Sequence, residues 1–450
     1  MLIKRKFDLS TFLLFTFYFL ILTSCSITKQ IAKSAKNNVI NDSSLVNAHL
    51  GISIYEPATG KYWYNYNGEK YFVPASNTKI PTCYAAMKYL GDSLVAARVS
   101  VNDKGALLLF PSGDPTFLNP EFKYQPLLNK IKQFNQVFLY DDNWKDERWG
   151  NGWSWNDYDG DYMAERSLLP IFGNVIKFDL SNDTLKIVPN KISIEAAASL
   201  GYDRTTSIIK SKNFSIDRKL DENDFFLRPS GRRFSNTSIP LRTDLGAITE
   251  ILKETIKVEV VPASIAPGYS FNPPKEIVHS QPTDSLLKPM MHRSDNFFAE
   301  QTLLMVSNEL LGVMNDARII DTLLKTDFKD LPQKPRWADG SGLSRYNLFT
   351  PQDFVAILNK MKNEFGMERI KVILATGGEG TISSYYKTES GFIFGKTGTL
   401  SGVVAFSGFL YTKKGKLLIF STLVNNHNNS SSTGVRRAVE KFIQHLRNNY

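Results

Sequence analysis

The short stretch SNTK, residues 76–79, contains a hydroxyl and an amine that together can cleave an amide bond. Ser76 and Lys79 are three residues apart, close to one helical turn, so a helix would place both side chains on one face. A lysine whose pKa is lowered by burial or by a nearby cation can accept the serine proton. The same spacing also fits a helix-capping serine followed by a surface lysine, so the pair needs support from elsewhere in the chain.

Other motifs for nucleophiles and metals are missing from the sequence. It contains no Gly-x-Ser-x-Gly element, which disfavours an α/β-hydrolase. None of its histidines stands in a metal-ligand spacing such as His-Glu-x-x-His. The histidines are His49, His279, His292, His427 and His445. A hydrolase without an evident histidine base needs another base, and Lys79 is a candidate for it. No metal ion or other cofactor is expected.

A second lysine lies in the stretch SGFIFGKTGTLSG, residues 390–402, whose Gly-Lys-Thr is reminiscent of a phosphate-binding loop. The spacing excludes that motif, because Gly391 and Gly395 are separated by three residues, whereas the motif requires four. The residues that follow form two apolar runs joined by KKGK, which indicates a β-hairpin and not the helix that a phosphate loop opens. Lys396 is therefore expected on a β-strand.

A third motif accompanies these two lysines. Ser294 to Asn296 reads Ser-Asp-Asn and precedes an amphipathic helical run, while Lys396 begins a Lys-Thr-Gly sequence. Ser-x-x-Lys, Ser-x-Asn and Lys-Thr-Gly, in this order, are the constellation of the penicillin-recognising serine enzymes. Three motifs in the right order are much harder to obtain by chance than one.

On these motifs the sequence resembles the class C low-molecular-mass penicillin-binding proteins, which are D-Ala-D-Ala carboxypeptidases and endopeptidases. The resemblance also rests on SGDPTF, DGSGLSRYNLFTP and GGEGTISS, at residues 112–117, 339–351 and 377–384, and on the gap of over two hundred residues between Ser76 and Ser294. It implies an α/β (α+β) fold of the serine transpeptidase/β-lactamase type. We expect an antiparallel five-stranded sheet flanked by helices, with one or more inserted, mainly β domains.

The N-terminus has the features of a lipoprotein signal peptide. Residues 1–24 combine a basic start with an apolar run too short to span a bilayer comfortably. They lead into LTSC, which resembles the bacterial lipoprotein box, so Cys25 is expected to carry a lipid. An ordinary cleaved signal or an uncleaved anchor is the alternative. Residues 25–45 are polar and are predicted as a lipidated tether, which makes the protein an exported, membrane-anchored lipoprotein on the periplasmic side of a bacterial envelope.

The remaining chain divides into two parts that differ in their pattern of apolar and polar residues. Residues 46–100 and 277–450 carry the three motifs and alternate strand-like with strongly helical patterns, so together they are predicted as the catalytic domain. Residues 101–276 consist of short apolar runs, polar turns and tryptophan-rich loops, which predicts one or more inserted domains.

The resemblance implies a role for each motif residue. Ser76 would attack the carbonyl carbon of the penultimate D-Ala, and Lys79 would accept the serine proton. Ser294 would relay a proton to the leaving amine, with Lys396 nearby to tune that step. Asn296 would hold the peptide backbone of the substrate and help to orient Lys79.

The Lys-Thr-Gly strand is expected to bind the substrate. Lys396, Thr397 and Thr399 would bind its terminal carboxylate, and Gly398 belongs to the same substrate-binding strand. The backbone N–H groups of Ser76 and Thr399 would form the oxyanion hole, as the family pattern implies.

Three residues outside the motifs are candidates for recognising the stem peptide. Arg345 would grip a side-chain carboxylate in a bidentate manner, and Asp157 would pair with the free amine of the same side chain. Together they would select a diamino acid such as meso-diaminopimelate, with Tyr162 lining the same pocket. Structural ion pairs and ordinary aromatic packing remain alternatives for these residues.

These assignments imply peptidoglycan stem peptides as substrates and β-lactams as inhibitors that acylate Ser76. The net charge of +10 is spread along the chain, and nucleic acid is not an expected partner of an exported lipoprotein. Cys83 is the only cysteine besides Cys25. With Cys25 lipidated, Cys83 has no partner for a disulfide and is predicted to be a buried thiol. Two rival functions remain open: a β-lactamase or esterase on the same scaffold, and a non-catalytic wall-binding lipoprotein.

Overall fold

The structure, a computed structural model, describes residues 27–190, 192–265 and 273–450. The predicted signal peptide, residues 1–24, and the predicted lipidation site Cys25 therefore lie outside the described residues. Among the helices of the described ranges, none combines the length and apolar character needed to cross a membrane.

The α-helices and β-strands are numbered in chain order. The helices are α1 (27–35), α2 (Lys79–Tyr89), α3 (Pro126–Ile131), α4 (Leu245–Ile256), α5 (Thr283–His292), α6 (Asn296–Leu311), α7 (Asp316–Lys325), α8 (Pro351–Ile373) and α9 (Thr433–Asn449). The first ten strands are β1 (His49–Glu56), β2 (Lys61–Tyr66), β3 (Ser93–Val101), β4 (Leu107–Pro111), β5 (Gln136–Leu139), β6 (Val175–Ser181), β7 (Thr184–Val188), β8 (Ser193–Ala196), β9 (Tyr202–Asp203) and β10 (Ile208–Ile209). The later strands are β11 (Phe214–Arg218), β12 (Asp224–Pro229), β13 (Thr237–Pro240), β14 (Glu259–Pro262), β15 (Glu276–Pro282), β16 (Ala375–Thr376), β17 (Ile393–Leu400), β18 (Val403–Tyr411) and β19 (Leu417–Asn425).

The catalytic domain is built on an antiparallel sheet with the strand order β16-β17-β18-β19-β1-β2. It contains the expected five strands and, in addition, the two-residue strand β16 at the edge beside β17. The hairpin predicted from the sequence corresponds to β18 and β19, which pair along their whole lengths. Lys396 lies on β17, opposite Ser407 of β18, as the strand prediction requires.

Helices cover both faces of this sheet. Along β18, Ala405 and Phe409 contribute to a core formed with α2, α5, α6 and α8, whereas Phe406 and Leu410 point into a second core under α9. The alternation follows from the two-residue period of a strand, which directs successive side chains to opposite faces. Both faces are therefore apolar, and the sheet is the central layer of a three-layer domain.

The prediction that residues 25–45 form a flexible tether is wrong for the described part of that segment, which begins at residue 27. From residue 27 the chain forms α1, which continues as a π-helical turn at Lys36–Ile40 and packs against α9. Ile31, Ala35 and Val39 are fully buried in the core beneath α9. Their spacing of four residues places them on one helical face, so an otherwise polar segment still has an apolar stripe to bury.

The inserted region is longer than the predicted residues 101–276. Its first sheet has the order β14-β5-β4-β3-β15, and its antiparallel β3–β15 pair extends the insertion to Ser93 on one side and Pro282 on the other. Two further sheets, β13-β6-β7-β10-β9 and β11-β12-β8, complete it together with α3 and α4. These elements share an apolar core, to which Leu304 of α6 and Met314 also contribute, and the region is a mixed domain in which strands predominate.

Candidate active site

Ser76 lies in a tight turn that leads into α2. The turn is a 3₁₀ helix, Ala75–Thr78, and Ala75 adopts a left-handed backbone with φ of +47°. The Asn77 side chain donates a 2.7 Å hydrogen bond to Ser407 Oγ on β18, and Thr78 Oγ1 donates to the carbonyl of Ala75. The turn is thus fixed to the sheet and presents Ser76 to the cavity beside β17.

Lys79, the first residue of α2, is fully buried. Its Nζ lies 3.0 Å from Ser76 Oγ, 2.6 Å from Asn296 Oδ1 and 2.8 Å from the carbonyl oxygen of Ser341. The cost of burying a charge lowers the pKa of Lys79 to about 8, against the opposing effect of nearby carboxylates. These carboxylates are Asp339, Glu300 and Asp295. A lysine with this pKa is partly neutral near physiological pH and can act as a base.

A second serine–lysine pair faces the first. Lys396 on β17 is fully buried, and its Nζ donates to Ser294 Oγ at 2.9 Å and to the Thr397 carbonyl at 2.7 Å. Burial, with smaller contributions from Lys79 and Arg436, holds the pKa of Lys396 well below its usual value. Ser294 has a left-handed backbone with φ of +64°, a strained conformation of the kind that clusters at functional sites.

Asn296 connects Lys79 to the wall of the cavity. It is the first residue of α6, behind the helix-capping Asp295, whose carboxylate accepts the N–H of Phe298 at 3.0 Å. Its Oδ1 accepts from Lys79, and its Nδ2 donates to the carbonyl of Tyr162 at 2.9 Å. One amide therefore holds both the Lys79 amine and the loop that carries Tyr162.

Gly398 explains why the third motif ends in glycine. A Cβ atom at this position would lie 2.6 Å from the carbonyl oxygen of Pro74 and 2.9 Å from the backbone nitrogen of Ser76. Any side chain would push β17 away from the nucleophile turn. Gly398 thus contacts this turn and allows the N–H groups of Ser76 and Thr399 to approach each other.

These groups surround a cavity of about 830 Å³. Of the sequence-predicted residues, those that line it are Ser76, Asp157, Tyr162, Ser294, Asn296, Arg345, Thr397 and Thr399. Lys79 and Lys396 lie buried behind this lining, each hydrogen-bonded to one of its serines.

The three candidates for stem-peptide recognition share this cavity with Ser76. Arg345 donates to the carbonyl of Ser401 at 2.9 Å, beyond the end of β17. Tyr162 is about half exposed, and its pKa is raised by burial and by a hydrogen bond with Asp157. Arg345 makes no ion pair among the described residues, which leaves its charge available to a ligand.

Sequence reasoning missed several residues of the site. Arg436 of α9 lines the cavity and donates to Thr399 Oγ1 at 2.6 Å, and Thr381 is 2.6 Å from Thr397 through their hydroxyl oxygens. The carboxylates around Lys79 were not identified either. No motif marks Arg436, which stands in an ordinary amphipathic helix; the string GGEGTISS was the only signal for Thr381.

The sheet, the two serine–lysine pairs and the inserted domain define a penicillin-recognising serine peptidase. The fold is similar to that of penicillin-binding protein 4 from Haemophilus influenzae, with a TM-score of 0.68 at 20% identity over 92% of this chain and 98% of that one. Residues 32–446 match the D-Ala-D-Ala carboxypeptidase 3 (S13) family, and the chain belongs to that family.

Two curated relatives agree with this membership. The chain is 25% identical over 447 residues to the D-alanyl-D-alanine carboxypeptidase of Actinomadura sp. (strain R39), covering 89% of this chain and 82% of that protein. It is 24% identical over 429 residues to the D-alanyl-D-alanine carboxypeptidase DacB of Haemophilus influenzae, covering 86% and 87%. The resemblance to the low-molecular-mass penicillin-binding proteins is thus confirmed, and the protein is a serine-type D-Ala-D-Ala peptidase of the cell wall.

Proposed function

We propose that the protein hydrolyses peptidoglycan stem peptides ending in D-Ala-D-Ala through an acyl-enzyme on Ser76. The observation that carries this proposal is the 3.0 Å contact between Ser76 Oγ and Nζ of the fully buried Lys79. A nucleophile within hydrogen-bond reach of a base whose pKa has been lowered is the arrangement that covalent catalysis by serine requires.

Acylation begins when Ser76 Oγ attacks the carbonyl carbon of the penultimate D-Ala and its proton passes to neutral Lys79. Asn296 and the Ser341 carbonyl hold the Lys79 amine in position during this transfer. The oxyanion that forms is stabilised by the backbone N–H groups of Ser76 and Thr399. A positioned base of this kind is worth about 10²–10⁴-fold in rate.

Collapse of this intermediate breaks the C–N bond, and the leaving amine must gain a proton. Ser294 lines the cavity and is hydrogen-bonded to Lys396, so it donates this proton to the amine and is reprotonated with the proton that Lys79 took from Ser76. Lys79 is thereby neutral again before deacylation. Water then attacks the ester, with Lys79 again accepting a proton, and Ser76 is released with the shortened peptide.

The terminal carboxylate of the substrate would lie against the end of β17. Thr397 and Thr399 present hydroxyls there, and Arg436 adds a guanidinium group that already contacts Thr399. Arg345, Asp157 and Tyr162, which line the same cavity, would hold a diamino acid side chain of the stem peptide.

The first experiment labels the protein with a fluorescent penicillin. A β-lactam offers a strained amide together with a carboxylate, so we expect a lasting adduct on Ser76, located by peptide mass spectrometry. Ser76→Ala should form no adduct, whereas the matched control Ser235→Ala, at an exposed position of the inserted domain, should label like the wild type. The wild type should also release D-Ala from a synthetic peptide.

Two outcomes contradict the proposal. A folded wild-type protein that forms no adduct and releases no D-Ala excludes an acyl-enzyme on Ser76. Rapid penicillin hydrolysis without a lasting adduct and without D-Ala release indicates a β-lactamase on this scaffold.

We further propose that the protein is exported and held at a membrane by a lipid on Cys25, which places its activity in the periplasm. The basic start, the apolar run and the LTSC sequence support this assignment. Metabolic labelling with a radioactive fatty acid should mark the wild type and leave Cys25→Ala unmarked. Equal labelling of both proteins would refute the lipidation site.

A further inference from the structure

Asp339 is fully buried, and its carboxylate accepts hydrogen bonds from four N–H groups. Its Oδ1 accepts from the backbone of Gly342 at 2.8 Å and from Asn347 Nδ2 at 2.7 Å. Its Oδ2 accepts from the backbone of Ser344 at 2.6 Å and from Trp153 Nε1 at 3.0 Å. A carboxylate has acceptor sites only, so it matches a position at which every one of these neighbours donates.

Three of the four donors belong to residues 339–347, which we call the arginine loop. A Cβ atom at Gly342 would lie 1.9 Å from a carbonyl oxygen of the nucleophile turn, so this loop packs directly on that turn. The Ser341 carbonyl of the loop accepts from Lys79 at 2.8 Å, and its Arg345 lines the active-site cavity. The carboxylate therefore fixes a loop that holds both the base and the cation proposed to bind the stem peptide.

The fourth donor, Trp153, belongs to residues 150–162, which we call the tryptophan loop. This loop also carries Asp157, which lines the cavity. The two loops are in direct contact, because a Cβ atom at Gly152 would lie 2.7 Å from a side-chain oxygen of the arginine loop. The hydrogen bond from Trp153 to Asp339 thus joins two segments that are far apart in the sequence and that form different parts of the cavity wall.

The separation of the two loops matters because each carries one of the charges proposed to bind the stem peptide. Arg345 is on the arginine loop and Asp157 is on the tryptophan loop, and both line the cavity. The end of a meso-diaminopimelate side chain has its carboxylate and its amine on one carbon atom. Both groups can be bound at once only where the loops keep a fixed separation, and binding of this kind is sensitive to small displacements.

We propose that Asp339 is a positioning residue that fixes the separation of the arginine loop and the tryptophan loop, and that it thereby selects peptides with a charged diamino acid side chain. This inference rests on the proposed function, because it assigns the substrate preference of the same cavity. Asp339 acts on the substrate only through the two loops, since it does not itself line the cavity. Of its four hydrogen bonds, the one from Trp153 can be removed without changing the arginine loop.

The first experiment compares two synthetic peptides that end in D-Ala-D-Ala. One contains meso-diaminopimelate with its free side-chain amine and carboxylate, and the other contains an uncharged aliphatic side chain of similar length. The wild type should have an about tenfold higher kcat/KM for the charged peptide, the effect of charge-assisted hydrogen bonds.

Trp153→Phe keeps an aromatic ring and removes the N–H donor. It should raise KM for the charged peptide about fivefold with little change in kcat, because it loosens a binding contact. For the uncharged peptide, kcat/KM should change less than about twofold. Trp155→Phe makes the same exchange at a 70% exposed position of the tryptophan loop and is the matched control, which should leave both peptides unaffected.

Asp339→Asn tests the other side of the junction. It replaces one acceptor oxygen by an NH₂ group that faces two donors, so kcat/KM should fall about tenfold or more for both peptides. It also removes a negative charge that favours the protonated form of Lys79. The pH profile of acylation by penicillin should therefore level off at a lower pH than in the wild type, which a purely structural defect would not cause.

Circular dichroism checks the folding of each variant, and Trp153→Phe decides alone if Asp339→Asn does not fold. Equal losses of Trp153→Phe on both peptides, or no loss on either, overturn the inference. An unshifted pH profile of folded Asp339→Asn also overturns it. A wild type that labels with penicillin and does not distinguish the two peptides overturns the inference and leaves the acyl-enzyme proposal intact. Absence of a penicillin adduct on the wild type is the separate sign that the proposed chemistry has failed.

Discussion

Lys79 is the residue whose protonation state controls the proposed reaction. Burial disfavours its charged form, while Asp339 in the loop between α7 and α8, Glu300 on α6 and Asp295 at the start of α6 favour it. Lys396 on β17 adds a second buried amine nearby. With a pKa of about 8, Lys79 is protonated in acidic solution and becomes neutral as the pH rises through that value.

We therefore predict that the rate constant of acylation by penicillin rises with pH and levels off above about 8. Well below this pH it should fall about tenfold for each unit, because only the neutral amine accepts the Ser76 proton. Stopped-flow acylation between pH 6 and 9 measures the profile, with circular dichroism at each pH as the control for folding. A rate that is constant over this range would show that Lys79 is not the titrating base.

The residues of the three motifs were identified from the sequence because each motif is local. Ser76 and Lys79 are one turn apart, and Lys396 to Gly398 are consecutive. The residues that complete the site were not, because their contacts join distant parts of the chain: Arg436 reaches Thr399 from another element. A single sequence contains no signal for such a contact.

At the scale of elements, α9 contributes directly to the proposed carboxylate site. Its buried stripe packs on the sheet, and Arg436 extends from its first turn to Thr399. Within the described part of the chain, Nε of Arg436 is buried without a hydrogen-bond partner. The Arg436 side chain lines the active-site cavity beside Thr399, where its guanidinium can donate to a substrate carboxylate.

Arg436→Met should lower kcat/KM for a peptide ending in a free D-Ala carboxylate by about tenfold or more, because a charge-assisted hydrogen bond is lost. A peptide with a terminal amide should show the same kcat/KM with the variant and the wild type. Lys441→Met, an exposed position on the same helix, is the control. Equal losses with both peptides would indicate that Arg436 only supports the fold.

The helices and strands differ in how well the local pattern of apolar residues predicts them. The β18–β19 hairpin was predicted because its strand pattern is visible within one segment. The segment from residue 27 was mistaken for a tether because its apolar stripe is only Ile31, Ala35 and Val39 within polar surroundings. A helix that short is stabilised by packing, which the sequence does not display.

For the whole molecule, Arg166 holds the inserted and catalytic domains together. Its buried guanidinium forms ion pairs with Asp146 at 2.8 Å and with Asp316 at 2.6 Å, and lies 3.6 Å from Glu300. Burial raises the pKa of Asp146 to about 6 and that of Glu300 to about 8, so the compensating cation matters to both carboxyl groups. Asp316 is on α7 and Glu300 on α6, whereas Arg166 follows the tryptophan-rich loop.

Arg166→Met should destabilise the protein by about 3–5 kcal/mol, because it leaves buried carboxyl groups without their cation. Urea unfolding followed by tryptophan fluorescence measures the change in midpoint. Lys219→Met removes exposed ion pairs with Glu222 and Asp224 and should alter the midpoint little. Similar midpoints for Arg166→Met and the wild type would show that this cluster does not stabilise the domain contact.

The domain boundaries also depend on long-range pairing. The pattern of apolar and polar residues changes at residue 101, yet the sheet of the inserted domain begins with β3 at Ser93. The strand β3 belongs to this sheet because it pairs with β15, which lies far along the chain. Composition shows that a domain is inserted; only the pairing of β3 with β15 shows where the insertion begins and ends.

The packing of α1 against α9 would limit how far the enzyme can move from the lipid anchor proposed at Cys25. Only one residue separates Cys25 from the first described residue of α1, and an extended chain advances at most about 3.6 Å per residue. With the proposed lipid on Cys25, the folded body of the protein would lie against the bilayer surface, without a flexible linker between them. The dimensions of the folded domain, rather than the length of a flexible linker, then set the height at which the cleft meets the wall.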